Sequence, residues 1–198
     1  MIKYILVGGY VHKASDEGKA FCEELIKGIN NRPVKILDCM FARKKEDWQD
    51  SIDKDNMFFS KFIKDFELEL ADLDNFTEQV KNSDVIYLKG GYTSPLIELL
   101  SKDKSWMKEL EGKVLAGTSA GGDAIAKYYC VLKTHRVGDG LGLLPIKFIP
   151  HWNSDYSDEE VQNIDWSIEL KKLKEYKEDL PIYTLGEGKF IVINSTEV

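Results

Sequence analysis

Ser119 stands at the centre of Gly117-Thr118-Ser119-Ala120-Gly121, between the apolar run that begins at Val114 and a stretch patterned as a helix. In a G-x-S-x-G turn from strand to helix the serine is exposed on a sharp bend, and the flanking glycines leave room for it. The chemistry such a turn serves is nucleophilic attack on an acyl carbon. The plain alternative is a turn serine that caps the next helix. An oxyanion formed here would face the amide of Ala120, and a second backbone donor is available from the Gly90-Gly91 turn at a neighbouring strand end.

A serine nucleophile needs a base, and histidine is the usual choice near neutral pH. The chain has three. His12 and His135 lie among turn residues and read as loop positions. His151 ends the apolar run "IKFIPHWN" after Pro150, which favours an extended chain before the turn, and it is the preferred base. A carboxylate should orient that base. Glu187, held between two glycines in "LGEGKF", fits best, with Asp123, Asp139 and Asp155 as competitors. No His/Cys/Asp/Glu grouping has metal-ligand spacing, and no G-x-G-x-x-G or P-loop pattern is present, so neither metal nor cofactor is expected.

These residues must be positioned by an alternation of strand-like and helix-like segments. "KYILVGG", "VKILDC", "ELELADLDN", "DVIYLKGG" and "KVLAGTS" read as strands, several ending in glycines. "SDEGKAFCEELIKGI", a broken stretch from Lys44 to Phe66, "NFTEQVKNS", "TSPLIELLSKD" and "AGGDAIAKYY" read as helices, Pro95 sitting in a first turn where its missing N–H costs little. Past Ala126 short strands and turns are expected, then a helix over "DEEVQNIDWSIELKKLKEY" and a terminal hairpin in "PIYTLGEGKFIVI". The alternation predicts an α/β fold with a mainly parallel sheet between helical layers, and chemistry at the carboxyl ends of its strands. Residues 1–198 read as one domain without linkers. The repeated Gly-Gly-Tyr of residues 8–10 and 90–92 is too short to argue a duplication.

With 43% apolar and 31% charged residues the composition is that of a globular protein, and a net charge of −7 argues against a nucleic-acid surface. Three widely spaced cysteines suit reduced thiols in a cytoplasmic protein. No apolar run approaches the roughly 20 residues that cross a membrane, so no membrane partner is expected.

"LKGGYTSPLIELL", "AGTSAGG", "GLGLLPIKFIPHW" and "YTLGEG", in this order, resemble the dipeptidase E and cyanophycinase family of serine peptidases. The resemblance implies a three-layer α/β/α, flavodoxin-like fold related to class I glutamine amidotransferase domains. It implies Ser119 as nucleophile, His151 as base, Glu187 as third triad member, and oxyanion donors at Gly90 or Gly91 and at Ala120. The order Ser119, His151, Glu187 differs from the serine, acid, histidine order of α/β-hydrolases. The expected substrate is a short peptide and the expected state monomer or homodimer. A serine amidase or esterase on a non-peptide acyl group, or a non-catalytic binding module, are the alternatives. The turn "KGGYT" departs from the family's GGGNT. The segment after His151 is acidic and lacks arginine, which argues against strict aspartyl specificity and for neutral or cationic peptides.

Overall fold

The computed structural model describes residues 1–154 and 164–196. Its main sheet has six strands: β1 (Lys3–Val7), β2 (Val34–Cys39), β3 (Phe66–Leu70), β4 (Val85–Leu88), β5 (Val114–Thr118) and β10 (Phe190–Asn194). They lie in the order β10-β1-β5-β4-β2-β3, all parallel except β10, which runs antiparallel to β1. The inner strands are apolar on both faces because both faces are covered. Ile5 and Val7 point to one side, where Phe21 and Leu25 of α1 (Lys19–Ile26) and Phe59 of α2 (Trp48–Ser60) close the core. Tyr4 and Leu6 point to the other, against Val80 of α3 (Phe76–Asn82), Leu96 and Leu100 of α4 (Thr93–Lys102), Ala124 of α5 (Ala120–Ile125), and Trp106. The mainly parallel sheet with helices on both sides is thus as expected.

A second sheet, in the order β7-β6-β8-β9, comprises β6 (Ala126–Val131), β7 (Arg136–Asp139), β8 (Leu144–Ile149) and β9 (Ile182–Thr184). Leu144, Ile146 and Phe148 of β8 enter the same apolar cluster as Leu6 and Leu88, so the two sheets share core. On its other face Leu173 of α6 (Trp166–Glu175) packs with Tyr128, Cys130 and Ile149.

Two sequence expectations are corrected. The helix after Ser119 stops at Ile125, and Ala126 to Val131 form a strand. Tyr128, Tyr129, Cys130 and Val131 are strand formers that gain ladder partners in β7 and β8, which outweigh the helical rhythm of the preceding alanines. The terminal segments do not form a hairpin. β9 pairs with β8, and β10 with β1, so the turn between them spans the two sheets. That turn carries Glu187. The beginning of the helix expected before Trp166 lies outside the described residues.

Phe59 is fully buried and meets the rings of Tyr87 and Phe66. Phe59→Ala should lower unfolding stability by about 3–5 kcal/mol in urea denaturation. A loss under about 1 kcal/mol would show that α2 is not fixed by this contact.

Candidate active site

Five strand ends and one turn converge on Ser119. Its backbone adopts φ 51° and ψ −111°, a conformation costly for a residue with a side chain, by about 1–3 kcal/mol. Two hydrogen bonds hold it there: Ser119 N–H donates to Val7 O at 2.9 Å, and Asp123 N–H donates to Ser119 O at 2.9 Å. The flanking glycines are required by contact. A Cβ on Gly117 would lie 2.4 Å from the carbonyl carbon of Gly121, and one on Gly121 would lie 2.1 Å from Leu88 O. Ser119 Oγ makes no helix cap. It is hydrogen-bonded to His151 Nε2 at 2.8 Å instead, which sets the capping alternative aside.

His151 follows β8. Its N–H donates to Gly8 O at 2.9 Å, fastening the imidazole loop to the turn after β1. Nδ1 is 2.7 Å from Glu187 Oε1. An ionised carboxylate only accepts, so Nδ1 carries the proton and Nε2 is left to accept from the Ser119 hydroxyl. The ring is buried, and this desolvation pulls the His151 pKa below its ordinary value, partly opposed by the Glu187 charge. Glu187 is presented by the β9–β10 turn, whose Gly188 N–H donates to Gly9 O at 2.8 Å and whose Lys189 O accepts from Gly8 N–H at 3.0 Å. The Gly8-Gly9 turn thus grips both the histidine loop and the glutamate turn.

The competitors make no hydrogen bond to Ser119 among the described residues. His12 lines the same cavity, stacked edge-on against Tyr10, while His135 pairs with Glu169 at 2.9 Å. Asp123 is buried and accepts from Thr93, and Asp139 pairs with Lys177 at 2.7 Å. Asp155 and most of the acidic segment after His151 lie outside the described residues.

Gly90 and Gly91 lie beside Ser119. The position a Gly90 Cβ would take is 3.8 Å from Ser119 Oγ. Ala120 opens α5, and amides of a helix's first turn lack intrahelical partners. A cavity of about 720 Å³ opens over Ser119 and His151, walled by Arg43, Lys44, Lys54, Lys89, Asp47, Asp55, Tyr10 and Tyr92 among others. This described wall carries more cations than anions. Arg43 was not legible as a site residue, because its approach to the Gly90 turn is entirely tertiary.

The protein is of the serine-peptidase class, as its family match shows. A family model matches residues 6–198, and the chain belongs to peptidase family S51. Among solved structures, a candidate peptidase E protein from Listeria monocytogenes EGD-e superposes with a TM-score of 0.72 at 19% identity, over 100% of this chain and 96% of that one. A peptidase from an acI-B1 Actinobacterium also gives 0.72, at 22% identity, over 98% of this chain and 84% of that one. No curated protein matches significantly.

Gly9 tests the geometry. A Cβ there would stand 2.5 Å from His151 Cε1 and 2.8 Å from Glu187 Oε2. Gly9→Ala should therefore displace the imidazole and cost about 100-fold in turnover. Unchanged turnover would show that the His151 ring tolerates displacement.

Proposed function

We propose that the protein hydrolyses short peptides, with Ser119 as nucleophile, His151 as general base and then acid, and Glu187 as the group that orients the imidazole. The continuous Glu187–His151–Ser119 hydrogen-bond path, with 2.7 and 2.8 Å separations, carries this reading. Ser119 Oγ attacks the scissile carbonyl carbon while its proton passes to His151 Nε2. The carbonyl oxygen becomes the oxyanion, which accepts hydrogen bonds from the Gly90 or Gly91 and Ala120 amides. On collapse the C–N bond breaks and His151 returns the proton to the leaving amine. Water then attacks the acyl-enzyme, giving its proton to His151, and the second product leaves with Ser119 restored.

The cavity's size falls in the range of small-ligand sites and supports a substrate of few residues over an extended chain. Its cationic described wall does not favour the cationic peptides suggested by the acidic segment after His151.

Mass-spectrometric analysis of a dipeptide and tripeptide library should show cleavages by the wild type that vanish with Ser119→Ala. Glu187→Gln should retain binding but lose about 10⁴-fold in kcat, because the amide can donate to Nδ1 and hold the imidazole in the wrong tautomer. Cleavage persisting in Ser119→Ala would exclude this serine. Neutral His151 is the competent base, and burial lowers its pKa. Activity should therefore rise with pH through a midpoint below about 6.5. A kcat/KM midpoint at or above that value would contradict the assignment of His151 as a buried base.

A further inference from the structure

Arg43 lies on the loop after β2, far from Ser119 in sequence, yet its guanidinium reaches the glycine turn beside the nucleophile. Nε donates to Gly90 O at 3.0 Å, and Nη1 donates to Ser51 Oγ at 2.9 Å. Ser51 belongs to α2 and is buried, so the guanidinium is anchored at both ends. The main chain around it is fixed as well. Trp48 Nε1 donates to Arg43 O at 3.1 Å, Tyr92 N–H donates to Ala42 O at 2.7 Å, and Lys89 N–H donates to Cys39 O at 3.1 Å. The two loops are in direct contact: a Cβ on Gly91 would lie 2.2 Å from Ala42 O.

The amides of Lys89 and Tyr92, on either side of the glycine pair, are thus satisfied by the β2 loop. Among the described residues, no acceptor is found for the amides of Gly90 and Gly91. In a trans peptide the C=O and N–H point in opposite directions, and Gly90–Gly91 is trans. Fixing Gly90 O on Arg43 therefore fixes the Gly91 N–H on the far side of the same peptide plane. A charged donor on the carbonyl also polarises the amide and strengthens its N–H as a donor.

We infer that Arg43 is a positioning residue for the oxyanion site: by holding Gly90 O it aims the Gly91 N–H at the oxygen that becomes negative when Ser119 attacks. This rests on the reading of Ser119 as nucleophile. Arginine suits the task better than lysine because a planar fork bonds Gly90 O and Ser51 Oγ at once, and a single ammonium is a point donor on a flexible stem. Among the described hydrogen bonds, the Arg43 guanidinium is given to Gly90 O and Ser51 Oγ.

The test is the kinetics of Ser119 modification by a biotinylated fluorophosphonate. In this reaction the Oγ–P bond forms, the P–F bond breaks, fluoride leaves, the proton passes to His151, and the phosphonyl oxygen takes the oxyanion position. Wild type, Ser119→Ala, Arg43→Ala and Arg43→Lys are compared over a range of probe concentrations, which separates kinact from KI. Loss of a single oxyanion donor costs about 10²–10³-fold, so a misaimed donor in Arg43→Ala should lower kinact by about 10- to 100-fold with KI within about twofold. Arg43→Lys should recover only part of the loss, and free guanidinium added to Arg43→Ala should restore part of kinact. A rise in KI alone would make Arg43 a ligand contact and overturn the inference, as would unchanged kinact. If Arg43→Ala unfolds, Ser51→Ala, which frees one end of the guanidinium, should still show a smaller fall in kinact; no fall would overturn the inference. Absence of Ser119 labelling in the wild type would remove the nucleophile itself, an outcome distinct from labelling that ignores Arg43.

Discussion

The hydrogen bond from Ser119 N–H to Val7 O joins the end of β5 to the end of β1, and most of the site is arranged around it. It helps hold a serine in a backbone conformation that its side chain disfavours, and it does so at the point where Gly8 begins the next turn. Gly8 O then accepts from His151, and Gly9 O accepts from Gly188 beside Glu187. One strand end therefore sets the relative positions of Ser119, His151 and Glu187. The strain at Ser119 is offset by a buried sheet on both sides, with Leu6, Val7, Leu115 and Ala116 nearly or fully excluded from solvent.

Space matters at the site as much as contact. Gly8 approaches the carbonyls of Leu185 and Gly186 so closely that a Cβ would lie 2.2 and 2.3 Å from them. The glycines at 117 and 121 let the elbow fold onto the end of β4, and Gly91 lets the neighbouring turn rest on Ala42. A buried polar layer supports this arrangement from beneath. Tyr87 OH is 2.7 Å from Thr118 Oγ1, next to Ser119, and the Lys89 ammonium lies 4.6 Å from the Tyr87 ring centroid. Lys89 is paired with Asp55 at 2.7 Å.

Near that pair, burial pushes the Asp38 carboxyl above the usual carboxylate range, opposed in part by the Lys89 charge. Both Asp38 carboxyl oxygens and Asp55 Oδ2 are buried without a hydrogen-bond partner among the described residues. Lys89 and Tyr92, the residues by which the glycine turn departs from the family pattern, both line the cavity. The three cysteines are buried and free, and desolvation pushes the Cys22 and Cys130 thiols up to about 12, which leaves them as packing groups.

The alternation of apolar runs and amphipathic segments made the parallel sheet legible, because strands covered on both faces must be apolar throughout. The spacing of Gly117, Ser119 and Gly121 marked the elbow, since only glycines fit where its backbone segments touch. His151 and Glu187 were legible as turn residues at the ends of apolar runs. What separates Glu187 from Asp123 and Asp139 is visible only in three dimensions, where Asp123 is turned to Thr93 and Asp139 to Lys177. Local pattern also failed at Ala126 and at the terminal segments, because strand pairing there depends on β1, β7 and β8, which lie far off in sequence. The same holds for Arg43: its role depends on a hydrogen bond to Gly90, and no local spacing encodes a contact made by packing two loops together.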